Sequence, residues 1–265
     1  MYSKSHLVFK WLQYYFHASN GKGHGIHSPF VYEFIREVLN DRKFYEEYGR
    51  IEVLRKKLLG DKRSLQIDDP GAGSSFHTGT IRSVSEITRR SVSTKKFARL
   101  LYRLAKYYQA GRIIELGTSV GISAAYLAMA NPDSKLITIE GSDTIAGIAR
   151  ENFNILGLKN IQLINGDFVQ VLPDVLSSNP PYDLIFIDGN HRKKPVLEYF
   201  ELVLGKISKS SLIIIHDIHW SREMEEAWSV VMADPRVKMS IDIFSAGLVF
   251  LREEFKVKQN FIIRF

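Results

Sequence analysis

No cysteine occurs among the 265 residues, which excludes a disulfide scaffold, a thiolate zinc site and a cysteine nucleophile. That lack also suits a reducing compartment, and cytoplasmic residence is the expectation. The chain has no run of about 18 apolar residues, so no membrane-spanning helix is expected. Its start, Met1 to His17, is aromatic and amphipathic. Lys10 and Gln13 interrupt it and no small-residue cleavage site follows, so it does not read as a secretion signal. Internal repeats and low-complexity tracts are missing too.

What is present describes a globular protein. Hydrophobic residues make up 45%, too many for a disordered chain. The length fits one large α/β domain with an elaboration, or two modest domains. A net charge of +7, from 36 basic and 29 acidic residues, mildly favours an anionic ligand, a membrane surface or a nucleic acid as partner.

Near residue 110 the chain changes character. Before it, helical patterns run over 5–17, from Pro29 (capped by Ser28) to Leu39, over 44–59 with Gly60 as stop, and over 95–109 behind Thr94. Gly21 to His27 is a flexible, histidine-rich stretch, and residues 61–80, with Asp68-Asp69-Pro70-Gly71 among them, read as a loop. After it, apolar runs at Arg112–Leu116, Lys135–Glu140, Ile161–Asn165, Tyr182–Asp188 and Ser211–Asp217 alternate with helical patterns at 121–130, 143–156, 168–178, 193–207 and 221–233. Such alternation predicts a parallel sheet covered on both faces. The last two strands, Lys238–Phe244 and Gly247–Arg252, are joined by Ser245-Ala246 alone and must be antiparallel. The expected fold is therefore α/β: a doubly wound, Rossmann-like, mostly parallel seven-stranded sheet ending in an antiparallel hairpin. An N-terminal helical extension, residues 1–92, precedes the main domain at 93–265.

Ligands of such sheets bind beyond the carboxyl ends of the strands, beside the first strand-to-helix turn. Here that turn is Glu115-Leu116-Gly117-Thr118-Ser119-Val120-Gly121-Ile122-Ser123. Gly117 permits a tight turn, Gly121 close helix packing, and Ser123 stands where free N–H groups and a hydroxyl bind a carboxylate. Position 119 is serine, so the three-glycine dinucleotide fingerprint is not met. Glu140 closes the second strand, where an acid accepts both ribose hydroxyls or simply starts a helix. After the third strand, Gly166-Asp167-Phe168 either faces an adenine or, through Asp167, caps the next helix.

The Glu-Leu-Gly-x-x-x-Gly-x-Ser stretch, Glu140, Gly166-Asp167 and the closing hairpin resemble class I S-adenosylmethionine-dependent methyltransferases. The nearest likeness is to the catechol- and caffeoyl-CoA-type O-methyltransferases and their bacterial relatives, from about Ser93 to Arg252. The resemblance implies S-adenosylmethionine as cofactor. Gly117, Ser119, Gly121 and Ser123 would lie along its methionine part, with Glu115 opening the motif. Glu140 would hold the ribose, Gly166 and Asp167 would face the adenine, and Val92, Ser93 and Thr94 would line the methyl donor.

Two further strands end in Asp188 and Asp217, carboxylates that suit a hard cation such as Mg²⁺, an acceptor hydroxyl, or cofactor contact. In the metal-dependent relatives the matching aspartates bind a divalent cation together with an asparagine that follows the second. Ile218 stands there and cannot ligate; His216 and His219 flank it and would favour a transition metal. Where that family commonly places a lysine base, three residues after the first aspartate, this chain has His191. An unperturbed imidazole, pKa about 6.5, can accept a proton at neutral pH. His216 is the second candidate base. Trp220 and Trp228 read as helix packing or a pocket wall.

Arg82, Arg89, Arg90, Lys95, Lys96, Arg99 and Arg103 form a basic stretch, either a solvated face or a surface for RNA or anionic lipid. Residues 5–17 would pack over the substrate pocket, in a homodimer or on a membrane surface. His24, His27 and His77 are loop histidines, either inert or reaching the crevice from their loops. The expected activity is methyl transfer from S-adenosylmethionine to an oxygen of a small molecule. The alternatives are an RNA- or lipid-directed methyltransferase and a non-catalytic cofactor-binding module.

Overall fold

Hydroxyl caps start the helices where the sequence supplies them. The structure, a computed structural model, describes residues 1–67, 80–178 and 181–265. Helix α1 (Lys4–His17) begins at Ser3, whose hydroxyl accepts the His6 N–H. Helix α2 (Pro29–Phe34) begins at Ser28, which accepts the Val31 N–H, and its last turn widens to a π-helical one over Ile35–Leu39. These two helices belong to one compact unit, Met1–Arg42 with Asn179–Phe265; Lys43–Ser178 form a second. Neither unit boundary falls at residue 92.

The second unit opens with α3 (Glu46–Gly60). Gly60 is its last helical residue, not a left-handed stop, because the chain leaves through Asp61 in an extended conformation. Part of the expected loop over 61–80 is ordered. Strands β1 (Ser64–Ile67) and β2 (Thr80–Ser83) pair antiparallel, Leu65 opposite Arg82. Asp68 to Ser75 and His77 lie outside the described residues. Helix α4 (Val84–Ser91) follows, announced by a capping box: the Ser83 hydroxyl accepts the Glu86 N–H while the Glu86 carboxylate accepts the Ser83 N–H.

Helix α5 (Lys95–Tyr107) starts at Thr94 as expected and buries Phe97, Leu100, Leu101 and Leu104. Each such side chain contributes roughly 1.5–3 kcal/mol on removal from water. The remaining elements of this unit alternate: β3 (Arg112–Leu116), α6 (Ile122–Ala130), β4 (Lys135–Glu140), α7 (Asp143–Leu156), β5 (Ile161–Asn165) and α8 (Phe168–Ser178). The strands β3, β4 and β5 run parallel, with Leu116 opposite Ile139 and Glu140 opposite Asn165. Their ends therefore lie level along one edge.

Back in the first unit come β6 (Tyr182–Ile187), α9 (Lys193–Leu204), β7 (Ile207–His216), α10 (Arg222–Ala233), β8 (Met239–Asp242), β9 (Ala246–Phe250) and β10 (Gln259–Ile262). Strand β6 is parallel to β7; β9 is antiparallel to both β7 and β8. The hairpin is thus present, but its loop is Ile243-Phe244-Ser245, with Phe244 left-handed at φ 67°. Strand β10, parallel to β8, was not expected. Among the described residues, β6 to β10 here and the parallel β3 to β5 of the other unit come to eight strands, against the expected seven. Trp228 is 3% exposed and lies against β9, where a Cβ on Gly247 would come within 2.4 Å of its ring. It is core.

Candidate active site

The glycine turn leaves β3 through backbone conformations that only some residues tolerate. Gly117 (φ 101°) and Gly121 (φ 82°) are left-handed, and Ser119 is too (φ 48°). Gly121 also has no room for a side chain, since a Cβ would stand 2.6 Å from Phe153 Cε1. Gly121→Ala is expected to destabilise the protein by about 2–4 kcal/mol, combining left-handed strain with overpacking; a denaturant titration measures it, and an unchanged midpoint would contradict the packing account.

Glu140, at the tip of β4, is pinned against this turn. Its Oε2 accepts the Ser119 N–H (2.7 Å) and its Oε1 the Ser142 N–H (3.1 Å). The carboxylate stays half-buried, with a fixed orientation. Glu115, expected along the cofactor, is instead fully buried. It accepts the Thr138 hydroxyl (2.6 Å), which in turn contacts the Thr118 hydroxyl (2.6 Å), so it supports the turn from beneath. Asp167 caps α8: its Oδ1 accepts the Val169 N–H at 2.9 Å. Helix α6 begins at Gly121 with no side-chain cap, and half-buried Ser123 stands in its first turn. Ser91, at the end of α4, meets Ser119 hydroxyl to hydroxyl at 2.5 Å. It lies just before Val92, Ser93 and Thr94, the residues expected there, at the end of the helix that the Ser83 capping box starts.

In the other unit, strand register builds an acid–histidine cluster. Because Ile187 pairs with Ile215, Asp188 emerges beside His216. Their side chains meet at 2.7 Å, Asp188 Oδ1 to His216 Nδ1. In a regular strand His216 and Asp217 would face opposite sides. A left-handed turn at Asp217 (φ 56°) breaks that alternation and leaves its Oδ1 3.7 Å from His216 Nδ1. His191, itself left-handed (φ 38°) after Asn190 (φ 67°), completes the group. Its ring nitrogens lie 3.8 Å from Asp188 and 4.0 Å from Asp217. Three strained non-glycine residues in one cluster mark a conformation that the surrounding structure enforces.

The electrostatics separate the histidines. Burial would push the His216 imidazole down, but the Asp188 and Asp217 carboxylates outweigh it and raise it to about 9. Asp188 shows the converse: burial would push its carboxyl up, yet His216 holds it below the ordinary value. His216 is therefore already protonated at neutral pH. His219 points elsewhere, with its ring nitrogens on Glu225 (3.1 Å) and Asp242 (2.8 Å); these partners raise its pKa against the effect of burial. It does not flank the aspartates as expected. Of His191, His216 and His219, His191 alone keeps its ring outside hydrogen-bond distance of a carboxylate.

Both raised imidazoles stabilise the fold when protonated. Their contribution is complete below the unfolded value near 6.5 and is lost as pH rises, for His216 through about 9. Denaturant midpoints are expected to fall between pH 6.5 and 9.5, and to fall less in His216→Asn.

Asp188, His191 and Asp217 each offer one donor atom, all within 4.8 Å of one another. By ligand type, two carboxylates and one imidazole fit a divalent cation, with the imidazole tilting preference from Mg²⁺ towards transition metals. Ile218 is fully buried and contributes nothing to the set. His24 and His27 are exposed and join no ligand-type group among the described residues. The basic stretch is not one face: Arg103 is buried, Arg99 lies over the Tyr48 ring and Lys95 pairs with Glu52.

Residues 114–218 match a family model described as a methyltransferase domain. A catechol O-methyltransferase of Niastella koreensis is 35% identical over 122 residues, 45% of this chain and 54% of that protein. One of Mycobacterium tuberculosis is 27% identical over 153 residues, 57% of this chain and 66% of that protein. The chain thus spans between about half and two thirds of the length of these relatives. Among solved structures, the methyltransferase PaMTH1 of Podospora anserina, described as bound to S-adenosylhomocysteine, superposes with a TM-score of 0.60 at 15% identity, covering 85% of this chain and 97% of that one. The O-methyltransferase TomG of Streptomyces achromogenes gives 0.56 at 20% identity, covering 84% and 95%. Over residues 114–218 the chain is thus similar to methyltransferase domains, and the two curated relatives named above are catechol O-methyltransferases.

Proposed function

We propose that the protein transfers a methyl group from S-adenosylmethionine to a hydroxyl oxygen of a small molecule. The observation that carries this reading is the placing of the His191 ring 3.8 Å and 4.0 Å from two strand-tip aspartates, of which one is already neutralised by His216.

The donor set of the second unit fits the cofactor. Glu140, its carboxylate oriented by two backbone N–H groups at the tip of β4, stands where an acid accepts the two hydroxyls of a ribose. The uncapped start of α6, with Ser123, offers N–H and hydroxyl donors to an amino-acid carboxylate. Gly166 and Asp167 would bound the adenine side. Glu115 would act only through the turn it supports. When bound, the cofactor supplies a methyl group already activated on a sulfonium. The protein's tasks are then alignment and proton removal. His191 would take the proton from the acceptor hydroxyl, and the bound cofactor would supply the methyl group to that oxygen. Asp217 orients the imidazolium that results, and Asp188, shared with His216, keeps the cluster's charge balanced. In this reading residues 93–265 carry the transferase and residues 1–92 the acceptor-side elaboration.

A second reading rests on the closeness of the three donor atoms: a divalent cation held by Asp188, His191 and Asp217 would fix the acceptor oxygen. His191 then could not serve as base. Methyl transfer to a panel of catechols and other phenols, assayed with and without chelator, distinguishes them. Turnover that survives the chelator supports His191 as base, turnover abolished by it supports the cation, and none on any hydroxyl acceptor sinks the proposed chemistry.

A further inference from the structure

Helix α1 is apolar on both sides, and only one side is used. Its inward face carries Leu7, Lys10 and buried Tyr14. Tyr14 donates its hydroxyl hydrogen to the Ile263 carbonyl, and Lys10 pairs with Glu225 at 2.9 Å. Tyr2 fastens the helix start, its N–H bonded to the Trp220 carbonyl and its hydroxyl to Glu225. The helix is thus anchored in its unit.

The opposite face is bare. Val8, Phe9, Trp11, Leu12, Tyr15 and Phe16 are between 41% and 74% exposed. At 100° per residue they fall in one arc about 160° wide. A contiguous patch of six large apolar side chains on a firmly held helix needs a partner that removes it from water.

Charge identifies the partner. From Met1 to Tyr32 there is no aspartate or glutamate, but besides Lys10, which is spent on Glu225, there are lysines at 4 and 22 and histidines at 6, 17, 24 and 27. Lys4 is exposed at one end of the helix. Towards the other, Arg264 lies 4.3 Å from the Tyr15 ring centroid and donates to the Tyr15 carbonyl. Exposed aromatic and aliphatic groups flanked by cations, with no anion near in sequence, match an anionic bilayer surface: acyl chains for the rings, phosphates for the cations. No helix among the described residues is long and apolar enough to cross a membrane, so the contact is one that lies on the surface.

We propose that α1 docks the protein onto anionic lipid bilayers through Val8, Phe9, Trp11, Leu12, Tyr15 and Phe16. The contact is independent of catalysis, so its test is too. The full chain is sedimented with phosphatidylcholine vesicles, with or without about 30% phosphatidylserine. Binding to the anionic vesicles is expected to be at least tenfold tighter, since each basic residue at such a surface contributes roughly fivefold. Brominated lipid should quench the fluorescence of Trp11 in the wild type and fail to do so in Trp11→Phe. The double variant Phe9→Ser with Phe16→Ser alters exposed positions only and should lose at least tenfold in vesicle affinity with its thermal midpoint unchanged. Equal affinity of wild type and double variant, or no sedimentation with either vesicle, would overturn the proposal. So would a concentration-dependent dimer that the double variant abolishes, which would assign the face to a second copy of the chain.

Discussion

Replacing His191 with alanine is expected to lower kcat for methyl transfer by about 10²–10⁴-fold, the range for loss of a positioned general base. Affinity for S-adenosylhomocysteine should stay within about twofold, because His191 belongs to the acid–histidine cluster and not to the glycine turn. The physical ground is the contrast among three histidines. His216 is held protonated by two carboxylates, and His219 spends its ring nitrogens on Glu225 and Asp242. His216 therefore cannot accept a proton from an acceptor hydroxyl near neutral pH, and His219 has both ring nitrogens engaged away from the aspartates. Single-turnover rates against pH provide the check: the variant should lose the acidic limb that the base produces. A variant turning over at wild-type rate would move the base elsewhere.

The second large effect concerns the cofactor. Glu140→Ala is expected to weaken S-adenosylhomocysteine binding by about a hundredfold or more, since charge-assisted hydrogen bonds contribute roughly 1.5–3 kcal/mol each and a ribose offers two. Two changes act together. The acceptor for the hydroxyls disappears, and the Ser119 N–H loses the partner that holds the turn in its left-handed conformation. Glu140→Gln separates them, since its amide oxygen can keep the turn while its charge is gone. It should lie between wild type and alanine. Equal losses in both variants would mean that the turn does not depend on this contact.

How much of this the sequence revealed follows from how local each feature is. The glycine turn and the acids at the strand tips are short-range patterns, set by residues within one strand-to-helix unit, and they were readable. So were the caps at Ser28 and Thr94, where one hydroxyl and one N–H three residues on decide the outcome. Features that depend on pairing between distant segments were not. His216 meets Asp188 only because Ile187 and Ile215 share a register, and nothing near either residue states that. The interior place of Glu115 is likewise set by Thr138 on the neighbouring strand.

Strand β10 escaped notice for a compositional reason. Gln259-Asn260-Phe261-Ile262 opens on two amides, of which asparagine is disfavoured in strands, and lies at the edge of its sheet. Its partner strand supplies the order, helped by the Ser240 hydroxyl donating to Asn260 at 2.7 Å. The short pair β1 and β2 was hidden in the same way, with Arg82 and Gln66 breaking any apolar run. His219 misled for the opposite reason. Its position two residues past Asp217 looked like part of the site, yet the turn after β7 carries it to Asp242 instead.

Calorimetric titration of S-adenosylhomocysteine into the full chain tests the central claim most directly, with NAD as the control nucleotide. Saturable one-site heat with the first, none with the second, and loss of that heat in Glu140→Ala is the predicted result. No heat with S-adenosylhomocysteine, or an isotherm that Glu140→Ala leaves unchanged, would contradict the account.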